Sequence, residues 1–205
     1  MLEMKQQFSD IYARNTWKFG SGVGSLVKHN KGYIKFLQQF LKTHNIGSVV
    51  DFGCGDWQFS RYIDWGMLSY QGFDIVDSVI DNNQAHYATN RIQFRVFSGN
   101  ADDLPNADLL IIKDVLQHWS TDAIQKFLPA LNRYKYGLLT NCVDLHGQTI
   151  NRDINDSEFR PLDLRLPPFG LDAEPVFSYT DYRPFPMCYL RKKKWKKLVL
   201  LHRNT

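Results

Sequence analysis

The chain of 205 residues has little of what staples small folds together. Its three cysteines, Cys54, Cys142 and Cys188, are odd in number and far apart, which excludes a disulfide framework and leads us to expect a reducing compartment. They lack metal-ligand spacing, so no metal centre is expected from them. Long apolar runs are missing as well. The strongest, Leu109–Ile112 and Leu198–Leu201, are far shorter than the roughly 20 residues that cross a bilayer. The opening Met1-Leu-Glu-Met-Lys has no apolar core of a signal peptide, and a cytoplasmic location is therefore expected. No internal repeat or low-complexity linker divides the chain, which reads as a single domain over residues 1–205.

What is present suffices for one substantial core, since 43% of residues are hydrophobic and 14% aromatic. The formal charge of +4 is unevenly spread. Seven of the 25 lysines and arginines lie in the last fifteen positions, with no acid among them, so the remainder is slightly acidic. Lys192, Lys193 and Lys194 with Trp195, Lys196 and Lys197 combine phosphate-binding charge with a ring that can stack on bases, as a nucleic-acid or acidic-surface contact would require. The preferred reading is a solvated hairpin tip whose lysines keep a sheet edge from pairing.

Hydrophobic periodicity orders the middle of the chain. Tyr33, Ile34, Leu37, Phe40 and Leu41 recur at helical spacing, and Ser48-Val-Val-Asp-Phe then reads as a short buried strand. Strand-like segments near Tyr70–Ile75, Ile92–Phe97, Leu109–Lys113 and Tyr136–Asn141 alternate with helix-like segments near Ser60–Trp65, Val76–Tyr87 and Thr121–Arg133. Such alternation predicts an α/β fold, a mostly parallel sheet with helices on both faces. Met187–Arg191 and Trp195–His202 predict a C-terminal antiparallel hairpin. Between the two patterns, residues from about 142 to 175 resemble neither element and hold Pro161, Pro167, Pro168 and Gly170, which suggests a lid-like loop.

The most informative stretch is Val49-Val-Asp51-Phe-Gly53-Cys54-Gly55-Asp56-Trp57, a buried strand ending in an acid, followed by two glycines. Glycines at that turn let backbone approach a ligand at the carboxyl edge of a parallel sheet. Acids on both sides of the turn suit a cationic ligand better than a pyrophosphate. A third glycine, which the dinucleotide fingerprint requires, is replaced by Trp57. In these residues the sequence resembles the class I S-adenosylmethionine-dependent methyltransferases, a Rossmann-like fold. The resemblance implies that Asp51, Gly53, Cys54, Gly55 and Trp57 form the first cofactor motif. It implies further that Asp74, with Ile75, binds the ribose, that Asn100, Ala101 and Asp102 hold the adenine, and that Lys113 lies at the fourth strand's end on the cofactor.

Flanking signatures extend the likeness to a widespread methyltransferase family: Ile11-Tyr12-x-x-Asn15-x-Trp17 and Ser21-Gly22-x-Gly24-Ser25 before the first strand, and Asn151-x-Asp153-Ile154 with Phe159-Arg160-Pro161-Leu162-Asp163-Leu164 in the loop. The first pair belongs to a helical, Ser/Gly-rich cap over about residues 1–45 that is suited to close over cofactor or acceptor. Arg160 either holds an acceptor anion or pairs with Asp163 or Asp153 and pins the lid.

Methyl transfer needs the acceptor held in line and its proton removed. Asp114 and His118, four residues apart after the fourth strand, are the catalytic candidates with Arg160; His118 is the preferred base because its ordinary pKa is near neutrality. Asp114 with Asn141 and Asp144 is a weaker candidate set of oxygen ligands for a divalent ion. The fourth strand is not followed by the Asn/Asp-Pro-Pro-aromatic run of base-amino methyltransferases, and no lysine falls between Lys135 and Lys192 to build the ribose-methylating tetrad. The expected acceptor is an oxygen or nitrogen of a small molecule or glycan, with sugar hydroxyls preferred. The alternatives are an NAD-type oxidoreductase and a cofactor-binding module without chemistry.

Overall fold

The computed structural model describes residues 2–180 and 195–204. Seven strands form one sheet: β1 (Ser48–Phe52), β2 (Ser69–Asp74), β3 (Ile92–Val96), β4 (Leu109–Lys113), β5 (Tyr136–Asp144), β6 (Glu174–Tyr179) and β7 (Trp195–Arg203). Their spatial order is β3-β2-β1-β4-β5-β7-β6, with β1 to β5 parallel and β7 antiparallel to both neighbours. The chain steps outward from β1 to β3 and then returns to β4 on the other side of β1. That reversal opens a crevice at the carboxyl ends of β1 and β4, where ligands bind in such sheets.

Alternation along the strands splits the core. Val50, Phe52, Leu110, Ile112, Leu139 and Leu200 face one side, against Met4 and Phe8 of α1 (Leu2–Ala13) and Ile124 and Phe127 of α4 (Thr121–Phe127). Val49, Leu109, Ile111, Leu138, Val199 and Leu201 face the other, against Tyr33, Leu37, Phe40 and Leu41 of α2 (Val27–Thr43). The helix α3 (Asp77–Tyr87) connects β2 to β3 and gives Val79 to the first cluster and Ile80 to the second. The period-3.6 apolar stripe of α2 is the one read from the sequence, and it buries the residues that carry it.

Two helix expectations change. The segment after Gly55 forms only a 3-10 turn at Ser60–Tyr62, and Thr121–Arg133 is α-helical only to Phe127 before Pro129 tightens it to 3-10 geometry. The strand antiparallel to β7 that the structure describes on its outer side is β6, which sequence reading left within and beyond the irregular loop; Met187–Arg191 lies outside the described residues. β7 is therefore interior to the sheet, between β5 and β6, and its side chains from Lys197 to Leu201 are buried. No helix among the described residues is long and apolar enough to cross a membrane.

Candidate functional site

The carboxyl edge is built by the parity that buries the core. Asp74 ends β2, Asp51 precedes the last residue of β1, Lys113 ends β4 and Lys197 opens the buried part of β7; each shares its sheet face with the residues packed under α2. A row of charges thus runs across the edge of an otherwise apolar layer. Beneath it lies a cavity with about 860 Å³ of unfilled space, part of it open to solvent. Its walls include Asp51, Gly53, Cys54, Gly55, Asp74, Ile75, Lys113, Asp114 and His118. These nine predicted site residues, scattered over the sequence, meet in one place.

Gly53 (φ 73°) and Gly55 (φ 55°) occupy the left-handed region that a side chain strains. A Cβ at Gly53 would overlap Val115, and one at Gly55 would overlap the hydroxyl of Ser21. The turn delivers the Gly55 amide to Asp74 Oδ2 at 3.0 Å, while Val76 N donates to Asp74 Oδ1 at 3.1 Å. Each Asp74 oxygen keeps acceptor capacity for a further donor, as two ribose hydroxyls require. Burial pushes Asp74 up to about 6 against these amide bonds. Asp51 also rises to about 6 through burial, although the Tyr70 hydroxyl, 2.6 Å away, and the Lys113 ammonium both favour its ionised form. Burial, then the charges of Asp74 and Asp51, keep the Cys54 thiol protonated, so it serves as an apolar wall.

At the β4 end, Asp114 adopts φ 61° and binds two ammonium groups: Lys113 Nζ at 2.6 Å on Oδ2 and Lys197 Nζ on Oδ1. Burial would raise its pKa, but Lys113 and then Lys197 overrule it and hold the carboxyl well below the usual range. His118 sits in a 3-10 turn, Leu116–His118. Its Nδ1 lies 2.8 Å from the Glu158 carbonyl and must donate there, which makes Nε2 an acceptor, with the Gln117 side-chain amide 3.4 Å away as its donor. Burial lowers its pKa below the ordinary value despite the Glu158 bond and Asp114. The imidazole is thus neutral at pH 7.

Five predicted residues lie elsewhere. Trp57 is buried in the α2-side layer, where its indole N–H donates to the Tyr70 hydroxyl at 2.8 Å, so it steers Asp51 through Tyr70 and does not line the cavity. Asn100, Ala101 and Asp102 form the rim of an adjoining groove, which shares Met4, Phe97 and Trp119 with the cavity as common walls. Arg160 is 3% exposed and donates to the carbonyls of Arg152 (2.5 Å) and Trp119 (2.9 Å) and to Thr121 Oγ1 (3.1 Å), with Asp153 3.6 Å away. Of the weaker oxygen set, Asp114 is held by two lysines and Asp144 accepts the amides of His146 and Gln148 in its own loop.

Other residues enter unannounced. Asp56 faces the N-terminal segment, not the cavity: Ser21 N donates to its carboxylate at 3.1 Å while its own N–H donates to Ser21 Oγ at 2.9 Å. Tyr12, bonded to Ser21 Oγ at 2.6 Å, and Trp17, 5.3 Å from the His118 ring centroid, join Met4 and Phe8 as cavity walls. Their motifs were visible in sequence, but not which atoms they would meet. Lys197 is the larger correction. Read as part of a solvated tip, it is 7% exposed with its ammonium on Asp114; the usable signal was its period-2 alignment with Val199 and Leu201. Lys192–Lys194 lie outside the described residues.

The residues present fit an adenosyl sulfonium: the cavity combines buried acids with glycines that permit close approach, and a groove adjoins it beyond β3. Comparison with known proteins agrees. The methyltransferase domain of bacterial CtHen1 superposes with a TM-score of 0.57 at 14% identity, covering 83% of this chain and 98% of that one. TehB from Haemophilus influenzae gives 0.57 at 14% identity over 85% of this chain and 62% of its own. Magnesium protoporphyrin IX methyltransferase from Synechocystis PCC 6803, with bound S-adenosylmethionine, gives 0.53 at 16% identity over 84% and 79%. At these identities the likeness is one of fold. No curated protein matches the sequence significantly. The model of the O-methyltransferase domain, however, matches residues 18–137, more than half of the chain. The chain belongs to the O-methyltransferase domain family, and its methyl donor is S-adenosylmethionine.

Proposed function

We propose that this protein methylates an oxygen of a small molecule or glycan, with His118 accepting the acceptor's proton. The observation that carries the reading is the His118 geometry. A neutral imidazole lines the same cavity as Asp51 and Asp74, and its Nδ1–H is committed to Glu158, so Nε2, which meets the Gln117 amide at a long 3.4 Å, is the nitrogen able to act as base. Oxygen is preferred to nitrogen because the matching family model is that of O-methyltransferases.

Asp74 is the residue suited to the ribose hydroxyls, the backbone from Gly53 to Gly55 to close approach, and the rim at Asn100, Ala101 and Asp102 to the adenine. The bound cofactor supplies an electrophilic methyl group on a sulfonium, so the chain's own work is to orient the acceptor, exclude water and receive one proton. Trp17 and Tyr12 cover the His118 side, and Ser21 ties that cover to the loop after β1. We read residues 1–45 as this cap and the irregular segment from about 142 to 175 as a lid of the same single domain. Arg160 and the bond from Ser157 N to the His118 carbonyl fasten the lid beside the base. In this arrangement Arg160 is a lid pin, and the acceptor is left to His118 and the aromatic cover.

The experiment is transfer of labelled methyl from S-adenosylmethionine to a panel of alcohols, phenols, sugars and amines. The expected result is an oxygen-methylated product whose formation falls at least about 100-fold in His118→Ala, with S-adenosylhomocysteine affinity kept. Methylated amines alone, or full turnover by His118→Ala, would overturn the reading.

A further inference from the structure

The wall of the cavity at β4 carries more charge than a nucleoside can use. With the ribose at Asp74 on β2, and the base-side groove beyond β3, the remaining part of the cofactor extends the other way, over β1 and β4. That part is an amino acid, with one ammonium and one carboxylate. The cavity offers Asp51 and Asp114 as anions and Lys113 as a cation in that direction. Lys113 donates to Asp114 Oδ2 at 2.6 Å and reaches the Gly24 carbonyl at 3.4 Å, so it retains donor capacity for another acceptor.

Lys197 does not line the cavity. It reaches Asp114 from behind, from a strand face whose next alternate residues are Val199 and Leu201. An apolar side chain there would continue that layer without desolvating an ammonium, and a buried ion pair is seldom more stable than the hydrophobic packing that could replace it. Packing alone therefore gives no reason for a charge at this position. A functional one follows from the shared carboxylate. Were Lys197 absent, Lys113 would be the one cation left in an ion pair with Asp114 among the described residues and would be drawn wholly to it. With Lys197 on Oδ1, Asp114 is fixed in orientation and its charge is divided, which frees Lys113 to attract a second anion.

We propose that Lys197 is a positioning residue for the amino-acid end of S-adenosylmethionine, acting through Asp114 to hold Lys113 and the Asp114 carboxylate as a charge pair complementary to that zwitterion. The proposal rests on the reading that the cofactor's ribose lies at Asp74. It couples the C-terminal strand of the sheet to the cofactor site through Asp114, although the family model ends at residue 137.

The test compares two ligands by calorimetry: S-adenosylhomocysteine, and 5′-methylthioadenosine, which keeps the nucleoside and lacks the amino-acid end. In the wild type the first should bind more tightly. Lys197→Met should lower that preference about tenfold, mainly by weakening S-adenosylhomocysteine, and Lys197→Arg should restore most of it. An unchanged preference in Lys197→Met, or equal weakening of both ligands without rescue by arginine, would overturn the proposal and leave Lys197 a structural residue. Absence of S-adenosylhomocysteine binding by the wild type would instead overturn the cofactor reading beneath it. Should Lys197→Met not fold, the ¹⁵Nζ resonance of Lys197 in the unaltered protein gives the same decision. It should shift on adding S-adenosylhomocysteine and not on adding 5′-methylthioadenosine; an identical response to both refutes the proposal.

Discussion

Arg160→Met distinguishes a lid pin from an acceptor-binding residue. The guanidinium is buried and makes three hydrogen bonds, two of them to the backbone carbonyls of Arg152 and Trp119. Methionine fills much of the same volume but leaves both carbonyls without that donor, at a cost of about 1–3 kcal/mol for each acceptor that water cannot reach. Asp153 is exposed and loses only a long contact of 3.6 Å, worth little in water. Relief of the desolvated charge offsets part of the total. The net expectation is a loss of about 2–4 kcal/mol, or roughly 5–15 °C in Tm for a chain of this size. Arg160→Lys should fall between the two, because an ammonium keeps the charge but not the planar fork. Urea or thermal unfolding measures the loss, and calorimetry with S-adenosylhomocysteine should show affinity within about threefold of wild type. A loss under about 1 kcal/mol, accompanied by collapse of acceptor binding, would refute the reasoning and return Arg160 to the acceptor site.

Three further outcomes follow from the same geometry. S-adenosylhomocysteine affinity should decline as pH falls through about 6, where Asp74 and Asp51 take up protons, and calorimetry from pH 5 to 8 measures it. A raised folded-state carboxyl favours folding below its unfolded pKa and loses that contribution as pH rises through about 6. Asp51→Asn should therefore stabilise the ligand-free protein at pH 8 by up to about 3 kcal/mol while weakening the cofactor, and no gain in urea midpoint would contradict this. Gly55→Ala should dislodge the Ser21 hydroxyl that its Cβ would overlap, and limited proteolysis should then cut between Trp17 and Leu26 faster than in wild type.

The central strands β1, β4 and β5 were legible because they are buried on both faces and read as short apolar runs; Leu109–Lys113 matches β4 residue for residue. The glycines of the first turn were legible for a different reason, since few residue types tolerate their backbone. Partner choice was not legible. Asp56 and Trp57 follow the glycines directly, yet one bonds to a strap 35 residues upstream and the other to Tyr70. Lys197 shows the limit most clearly. In a run of lysines its charge spoke for solvent, whereas strand parity and the Cys142 register place it under α2 and beside Asp114. Sequence composition averages over side-chain direction, and a strand reverses that direction at each residue.

The central claim is that S-adenosylmethionine occupies the edge formed by Asp51, Gly53, Gly55 and Asp74. Calorimetric titration of the wild type and of Asp74→Ala with S-adenosylhomocysteine tests it most directly, with NADH as the control ligand. The account predicts one site per chain, at least a tenfold loss in Asp74→Ala, and no NADH binding. Undiminished affinity in Asp74→Ala, or tight NADH binding without S-adenosylhomocysteine binding, would contradict it.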